Sequence, residues 1–302
     1  MKTAAIVNPR SASGKTARRW PAIAARLGNL EVRFTDCAGH ATHLARQLLE
    51  EGYHRIIAAG GDGTINEVVN GFLDQDKPVN PDAVLAILPM GTGGDFQRSL
   101  GIANIEEAFT AIEKGAVERI DAGKVSYLGH DGKPGSRYFA NLVSFGMGGE
   151  VALASKNWLS QTSGKAAFIW ATLEVFFRYQ PKTVELVLDG AAPTTHTITN
   201  IAIGNGRYHG GGMHVCPRAQ MDDGLLEVTV IDQLGMFVLA KDLPVLYSEN
   251  LYVHPKTHHF RARHVIARSH EKVSIEVDGE ALGMLPLELT LIPSCLEVVH
   301  FR

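Results

Sequence analysis

Three glycines surround an aspartate in the segment G-G-D-G-T at residues 60–64. Because glycine has no Cβ, the backbone of such a turn can come within contact distance of a ligand. Apolar residues at helical spacing follow the turn, and a helix N-terminus offers free N–H groups and a positive dipole to an anion. The segment therefore predicts a phosphate-binding turn. Asp62 would repel a phosphate unless a divalent cation lay between them, so it indicates Mg²⁺ bound with a nucleotide.

Two residues of this segment also fit an interpretation that needs no ligand. Thr64 and Glu67 have the spacing of a capping box, in which Thr64 caps the helix and Glu67 reaches back to its first turn. Helix capping accounts for both side chains but not for Asp62.

A second glycine turn, G-T-G-G-D-F at residues 91–96, follows the next apolar strand. It repeats the order of strand, glycines, hydroxyl, carboxylate and helix, and Asp95 also fits an N-cap position. Neither turn has the spacing of a dinucleotide-binding turn or of a P-loop. Residues 13–16, S-G-K-T, resemble the end of a P-loop, but Pro9 stands where the upstream glycine would be.

Two acidic turns stand out in the second half of the chain. Asp223-Gly224 fits an ordinary hairpin turn, and with Asp222 it also fits an oxygen-rich site for a hard cation. Asp278-Gly279-Glu280 ends an apolar strand, and turn formation accounts for it equally well. Five histidines show no metal-ligand spacing and are interpreted as surface residues: His254, His258, His259, His264 and His270.

Strands and helices alternate up to about residue 122, which predicts a parallel sheet with helices on both faces. The predicted elements are strands Thr3–Val7, Leu30–Thr35, Arg55–Ala59 and Ala83–Leu88, and helices Thr16–Leu27, Gly39–Glu51, one after Gly63, and Ile105–Lys114. Ligands of such sheets lie at the carboxyl ends of the strands. The loops that begin near Asn8, Gly60 and Gly91 are therefore expected to converge on one crevice.

Strand patterns dominate after residue 123, and they predict a second, mostly antiparallel β domain. The predicted strands are Ala122–Tyr127, Arg137–Ser144, Thr183–Leu188, His196–Ile203, Leu225–Ile231, Val273–Val277 and Leu287–Ile292, with helices near Lys165–Tyr179 and Met236–Leu246.

Composition narrows the class of protein and its partners. The 302 residues carry a net charge of -3, which gives no reason to expect nucleic acid as a partner. Cys37, Cys216 and Cys295 have no metal-ligand spacing, and reduced thiols in a cytoplasmic protein are expected. No run approaches the ~18 apolar residues of a membrane span. Residues 166–177 form the nearest such run, and they fit either a lipid or membrane contact or a buried core helix.

Four motifs occur in an order that resembles the diacylglycerol kinase catalytic-domain family of lipid kinases, which includes bacterial diacylglycerol kinases, sphingoid-base kinases and ceramide kinases. They are G-G-D-G-T-I-N-E-V-V-N-G (60–71), L-P-M-G-T-G-G-D-F (88–96), the glycine-rich segment 204–228 and V-D-G-E (277–280). One departure is Gly94, where the family usually has Asn.

The resemblance implies an α/β plus β fold. An N-terminal Rossmann-like domain of the NAD kinase and diacylglycerol kinase type would span 1–122 and bind the nucleotide. A C-terminal β-sandwich domain would span 123–290 and take the lipid, and residues 291–302 would return to the first domain.

The resemblance also implies roles for individual residues. Glu280 would be the base that activates the lipid hydroxyl, supported by Asp278, with Asp62 on the side of the transferred phosphoryl group. A structural Mg²⁺ would be held by Asp223 and by the carbonyls of Gln220 and Leu225. ATP would contact Asn8, Arg10, Thr35, the turn Gly61, Asp62, Gly63, Thr64, Ile65, Asn66 and Glu67, and Thr92.

The expected function is that of an ATP- and Mg²⁺-dependent lipid kinase that phosphorylates a primary hydroxyl, with diacylglycerol as one candidate acceptor. A sphingoid-base or other lipid-alcohol kinase, an NAD kinase and a non-catalytic nucleotide-binding regulator stay open as alternatives. The expected location is the cytoplasm with transient peripheral contact to a membrane. The oligomeric state is open, and a homodimer is one option.

Overall fold

The computed structural model describes residues 2–91, 93–159, 164–235, 241 and 243–301. Its first half alternates strands and helices as the sequence predicts. The elements are β1 Thr3–Val7, α1 Lys15–Leu27, β2 Glu31–Phe34, α2 His40–Glu50, β3 Arg55–Gly60, α3 Asp62–Phe72, β4 Leu73–Asp74, β5 Lys77–Pro78, β6 Val84–Pro89, α4 Asp95–Ser99 and α5 Ile105–Lys114.

The main strands of this half form a parallel sheet in the order β2, β1, β3, β6. Their carboxyl ends therefore lie along one edge, as predicted from the alternation of elements. The loops after β1, β3 and β6 all begin at that edge. The parallel sheet with its helices is the predicted α/β domain.

The second half is mostly strand, with one helical hairpin. Its elements are β7 Val117–Gly129, β8 Pro134–Phe139, β9 Leu142–Gly146, α6 Met147–Leu159, α7 Gly164–Arg178, β10 Lys182–Leu188, β11 Thr194–Gly204, β12 Leu226–Asp232, two 3₁₀ helices at Leu243–Tyr247 and Glu249–Val253, β13 Thr257–Ala262, β14 His264–Arg268, β15 Ser274–Val277 and β16 Glu280–Val299.

Antiparallel pairing links these strands into two runs that share β16 and surround one apolar core. One run is β12, β11, β10, β14 and β16, and the other is β9, β15, β16, β7 and β8. Side chains of both runs pack together, including Phe145, Val184, Val228 and Leu289. This is the β-sandwich of the predicted fold class.

The two largest apolar cores of the described residues divide the chain. The first core contains residues from Ala4 to Ala122 and, near the end of the chain, Leu296, Val298 and Val299. The second core contains residues from Val125 to Leu291. β16 leaves the second core and pairs with β6 of the parallel sheet through Glu297↔Val84 and Val298↔Leu85. The domain limits at 122, 123 and 291 stay a prediction.

The described elements differ from the predicted ones in several places. The predicted strand Arg137–Ser144 is two strands, because the chain bends at Ala140 and Asn141, where their N–H groups bond to a buried carboxylate. α6, β13 and β14 were not predicted. The expected helix Met236–Leu246 lies largely outside the described residues, and residues 243–247 form a 3₁₀ helix.

The state of the cysteines and the length of the apolar helices bear on two of the expectations. All three cysteines are free thiols. In the part of the chain that the structure describes, no helix is long and apolar enough to cross a membrane.

Candidate active site

The two glycine turns lie side by side because β3 and β6 are neighbours, with Gly60 opposite Pro89. A Cβ placed on Gly61 would lie 3.3 Å from the Cα of Gly91, and a Cβ on Gly91 would collide with Gly61. The turns can approach each other this closely only because neither residue has a side chain. Beside them is a cavity of ≈ 230 Å³, lined by both turns and by Arg19 and Asn104.

Asp62 lies at the wall of this cavity. Its Oδ2 accepts a hydrogen bond from the Gly94 N–H at 2.9 Å, whereas its Oδ1 is buried and has no partner. Burial, and secondly the charge of Asp95, raise the pKa of the Asp62 carboxyl to about 6. An unpaired buried carboxylate oxygen beside glycine N–H groups fits a divalent cation that also contacts a phosphate.

Gly94 forms the turn without the side chain that the family usually has there. Its φ of 82° is in the left-handed region, which favours glycine and tolerates asparagine. The contact to Asp62 is made by the Gly94 backbone N–H, so the exchange of Asn for Gly leaves that contact in place.

The capping-box interpretation of Thr64 and Glu67 is wrong. α3 begins at Asp62 with Gly61 as its N-cap, so Thr64 lies inside the first turn. Thr64 Oγ1 accepts from Asn8 Nδ2 at 2.9 Å, which fixes the loop after β1 to the glycine turn. The Glu67 carboxylate accepts from the N–H groups of Gly39 and Ala41, so it stabilises the N-terminus of α2 instead.

Glu280 comes to the same turn from the far end of the chain. A Cβ placed on Gly63 would lie 2.6 Å from Glu280 Oε1, so this carboxylate lies directly over the first turn of α3. Glu280 Oε2 is 3.6 Å from the Arg137 guanidinium. Burial raises the pKa of Glu280, and Arg137 acts in the opposite direction. The glycine turn and the predicted base are therefore in one site.

Asp278 is buried and turned away from the cavity. Residues 278 and 279 have φ of 46° and 86° and connect β15 to β16, as in a two-residue hairpin turn. The Asp278 carboxylate accepts from the N–H groups of Ala140, Asn141 and Leu142 and from Asn66 Nδ2, at 2.8–3.2 Å. It ties the hairpin of the second domain to α3 of the first, and this turn positions Glu280.

Asn66 and Arg137 complete this link between the domains. Asn66 Oδ1 accepts from Arg137 Nε at 2.6 Å, and its Nδ2 donates to the Tyr138 carbonyl as well as to Asp278. Arg137 Nη2 is buried without a hydrogen-bond partner. The sequence analysis missed Arg137, because a single arginine at the edge of a strand gives no signal of function.

Asp95 is not an N-cap, since Gly94 holds that position and Asp95 is the first residue of α4. Its carboxylate pairs with Arg98 at 2.8 Å and accepts from the Gly211 N–H at 2.9 Å. Asp95 thereby fixes the glycine-rich loop of the second domain against the second glycine turn.

Three of the predicted ATP contacts lie outside this cluster or outside the described residues. Arg10 is exposed, and its N–H donates to Asn8 Oδ1. Thr35 is buried at the end of β2, where its N–H donates to the Val7 carbonyl. Thr92 lies outside the described residues. Gly61, Asp62 and Ile65 line the cavity, and the contacts of the turn with ATP stay a prediction.

The predicted metal site at Gln220, Asp223 and Leu225 stays a prediction. Asp223 Oδ1 accepts from the Leu225 N–H, and its Oδ2 pairs with Arg261. Among the described residues, no three His, Cys, Asp or Glu side chains converge on a metal site. Asp62 is the carboxylate whose surroundings fit Mg²⁺, which proteins often bind through one or two carboxylates and substrate phosphates.

The interpretation of the histidines as surface residues is wrong for His259. This side chain is buried with its Nδ1 3.3 Å from Glu227 Oε1, and it stacks on Tyr252. Glu227 Oε2 also accepts from the Arg218 N–H, so the pair holds the loop that precedes β12.

Two family models match the chain in succession. Residues 2–125 match the diacylglycerol kinase catalytic domain, and residues 141–300 match the YegS C-terminal NAD kinase beta sandwich-like domain.

Curated relatives and solved structures agree with these matches. A protein of Pseudomonas putida named "Probable lipid kinase YegS-like" is 32% identical over 89% of this chain and 84% of its own length. A diacylglycerol kinase of Staphylococcus saprophyticus is 28% identical over 97% and 93%. The crystal structure of a diacylglycerol kinase from Bacillus anthracis superposes with a TM-score of 0.70 at 24% identity, covering 99% of this chain and 96% of that one. An NAD kinase from Archaeoglobus fulgidus in complex with ATP shares the fold, with a TM-score of 0.51 at 16% identity over 99% and 93%.

Proposed function

The chain belongs to the diacylglycerol kinase catalytic-domain family of lipid kinases, and from this premise we propose that it transfers the γ-phosphate of ATP to the primary hydroxyl of a membrane lipid such as diacylglycerol. The observation that carries the proposal is the position of Glu280. Its carboxylate lies over Gly63, in the first turn of the helix that follows the glycine turn. A base is thus held beside a phosphate site, which is the arrangement that phosphoryl transfer to an alcohol requires.

The two glycine turns bind the triphosphate of ATP through backbone N–H groups. The helix N-terminus of α3 adds a positive dipole, and Asn8 holds Thr64 in the turn. Arg19 supplies a cation at the cavity wall. These groups orient the γ-phosphate toward Glu280 and stabilise charge on its oxygens.

In this proposal the unpaired Asp62 Oδ1 would hold the Mg²⁺ ion that accompanies the nucleotide. When bound, it neutralises charge on the phosphate oxygens during transfer. The chain's own contribution is a buried carboxylate that Gly94 fixes in one orientation.

Glu280 accepts the proton of the lipid hydroxyl as that oxygen attacks the γ-phosphorus, and the bond from that phosphorus to the β-phosphate oxygen breaks, so that ADP leaves. Arg137 lies beside the carboxylate and favours its charged form, which a base must have before it takes a proton. Both oxygens of the buried Asp278 carboxylate are hydrogen-bonded within the protein. Asp278 is a positioning residue whose hydrogen bonds hold the turn that carries Glu280.

The test measures transfer of label from [γ-³²P]ATP to a panel of acceptors with and without Mg²⁺. The panel contains a diacylglycerol, a sphingoid base, a ceramide and NAD. Label in an organic-phase product is expected, and the most strongly labelled lipid identifies the acceptor. Label in NADP, or none in any acceptor despite tight binding of ATP, would overturn the proposal.

Glu280→Gln keeps the size and polarity of the side chain but removes the base. We expect the rate of transfer to fall about 10²-fold or more with little change in affinity for ATP. Glu288→Gln is the matched control, because Glu288 lies on the same strand, is exposed and pairs with His264. Full activity in Glu280→Gln would remove Glu280 from the role of base.

A further inference from the structure

The Gln97 side chain lies at the wall of the cavity beside the two glycine turns. It is only 9% exposed, yet its amide has no hydrogen-bond partner among the described residues. Folded proteins rarely leave a buried amide without a partner, because the amide loses its hydrogen bonds to water on burial. Since Gln97 lines the cavity, a molecule bound there can supply the partner.

The Gln97 amide occupies the space that a side chain at position 94 would need. A Cβ placed on Gly94 would lie 2.8 Å from Gln97 Cδ and 2.9 Å from Gln97 Nε2. The Gly94 N–H donates to Asp62 Oδ2, so one residue lies between the amide and the carboxylate proposed to hold Mg²⁺. The family usually has asparagine at position 94. In this chain that amide is missing, and an amide from position 97 takes its space.

The backbone around Gln97 is fixed by its neighbours in α4. The Gln97 carbonyl accepts from the N–H groups of Leu100 at 3.1 Å and of Ile102 at 2.9 Å. Phe96 is buried in the first core, and Asp95 forms an ion pair within α4. The amide is therefore held at the cavity wall before a ligand arrives, which lowers the cost of ordering it on binding.

We propose that the Gln97 amide, placed in the space that Gly94 leaves open, binds the triphosphate of ATP, with Nε2 donating to a phosphate oxygen. This inference rests on the proposed function, because it takes ATP as the molecule in the cavity. The backbone N–H groups of the glycine turns and the cation of Arg19 favour an anion at the same wall. An amide adds a donor there without adding a charge that would repel Mg²⁺.

The first test measures binding of the ATP analogue AMP-PNP with Mg²⁺ to the full chain by calorimetry, without an acceptor. Gln97→Met keeps the length of the side chain and its contact with Gly94 but removes the amide. Its Kd should rise about 10-fold, the effect of one hydrogen bond to a charged group. Gln47→Met is the matched control, because the Gln47 amide bonds to Glu51 on the exposed side of α2. Equal affinity of Gln97→Met and wild type would overturn the proposal.

Two fragments of the nucleotide identify the part that the amide contacts. Inorganic tripolyphosphate should lose affinity for Gln97→Met by about the same factor as AMP-PNP, because the contact is to phosphate. Adenosine should bind the variant and the wild type equally. A loss of affinity for adenosine but not for tripolyphosphate would place the amide at the nucleoside and overturn the proposal.

Gly94→Asn tests whether one amide replaces the other. In a Gln97→Ala chain, asparagine at position 94 has free space and tolerates the left-handed φ of 82°, so it should recover most of the affinity that the alanine loses. In the wild type its Cβ would meet the Gln97 amide, and no gain is expected. The two substitutions should therefore be non-additive. The same effect of Gly94→Asn in both chains would overturn the proposal.

Thermal unfolding without nucleotide separates a lost contact from a damaged fold. Gln97→Met should keep the Tm of the wild type, since the amide has no partner within the protein to lose. Gln97→Glu has the size of glutamine but places a carboxylate at the phosphates, so it should bind AMP-PNP more weakly than Gln97→Met does. Wild-type affinity in Gln97→Glu would overturn the proposal whatever the stability of Gln97→Met.

Steady-state kinetics separates this inference from the proposed function. Gln97→Met should raise KM for ATP about 10-fold with a smaller change in kcat, because the contact exists before and during transfer. A chain that transfers phosphate to a lipid with an unchanged KM in Gln97→Met would support the proposed function and overturn this inference. A chain that binds AMP-PNP through Gln97 but transfers phosphate to no lipid would support this inference and refute the proposed function.

Discussion

At the scale of single residues, Arg19 is the cation that the cavity offers to a triphosphate. It lines the cavity beside both glycine turns, and it is the one cation among the described residues of that lining. We expect Arg19→Ala to raise KM for ATP about 10-fold, with a smaller change in kcat, because it removes a contact present before and during transfer. Steady-state kinetics with varied ATP measures this.

Arg18 provides the control for that prediction. It is the preceding residue of α1, it is exposed, and it does not line the cavity. Arg18→Ala should leave KM for ATP unchanged. If the two alanine variants behaved alike, the effect would come from net charge and the assignment of Arg19 to the triphosphate would be wrong.

The raised pKa of Asp62 predicts that the free energy of unfolding depends on pH. Burial and the charge of Asp95 raise its pKa from 3.8 to about 6 in the folded protein. The folded chain holds this proton more tightly than the unfolded chain, so the free energy of unfolding falls as pH rises from about 4 to 6. Asp62→Asn removes that loss, and its Tm should exceed that of the wild type by more at pH 7.5 than at pH 4.5.

Thermal unfolding in EDTA measures the pH dependence without a cation. Adding Mg²⁺ with ATP should then raise the Tm of the wild type more than that of Asp62→Asn, because the variant lacks the carboxylate that holds the ion. An identical difference in Tm at both pH values would show that the carboxyl is not perturbed by its burial.

At the scale of elements, the turn between β15 and β16 depends on Asp278. Alanine at this position would leave buried N–H groups of Ala140, Asn141 and Leu142 without an acceptor and would have to adopt a φ of 46°. We expect Asp278→Ala to lower the free energy of unfolding by about 3 kcal/mol or more, measured by urea denaturation.

Asp278→Asn is a milder substitution in the turn between β15 and β16. Asparagine tolerates the left-handed conformation and retains one acceptor oxygen, so its loss of stability should be smaller than that of alanine. Activity should fall in both variants through kcat, because Glu280 is displaced. An alanine variant as stable as the wild type would contradict the positioning role.

The elements show which parts of the structure a sequence reveals. α5 and β1 have the predicted limits, since their periodic patterns end at clear turn residues. α6 was missed because two glycines stand in its first turn. β13 and β14 were missed because they contain His258, His259 and His264, which were interpreted as surface residues.

Long-range contacts account for the errors at the site. Thr64 and Glu67 have the spacing of a capping box, yet the helix starts earlier and Glu67 bonds to α2, which no local pattern shows. The approach of Glu280 to Gly63 and the bond from Arg137 to Asn66 join distant parts of the chain. Sequence patterns indicated which residue types do chemistry, and tertiary packing determines which of them meet.

At the scale of the whole molecule, two strands belong to both cores. β7 contributes Ile120 to the first core and Val125 to the second, and β16 contributes Leu289 to the second and Val298 to the first. The two strands pair with each other from Gly283↔Gly129 to Val299↔Val117. If either domain unfolds, the other therefore loses part of β7 and β16 from its own core.

This shared pair predicts that the two domains unfold as one unit. Hydrogen exchange in rising concentrations of urea, read by mass spectrometry, should give the same midpoint for peptides of β3 in the parallel sheet and of β11 in the sandwich. Peptides of α7 should exchange at lower urea, because its outer face is not packed. Two separate midpoints for β3 and β11 would show that β7 and β16 do not couple the cores, and the domains would then be independent in stability although they build one site.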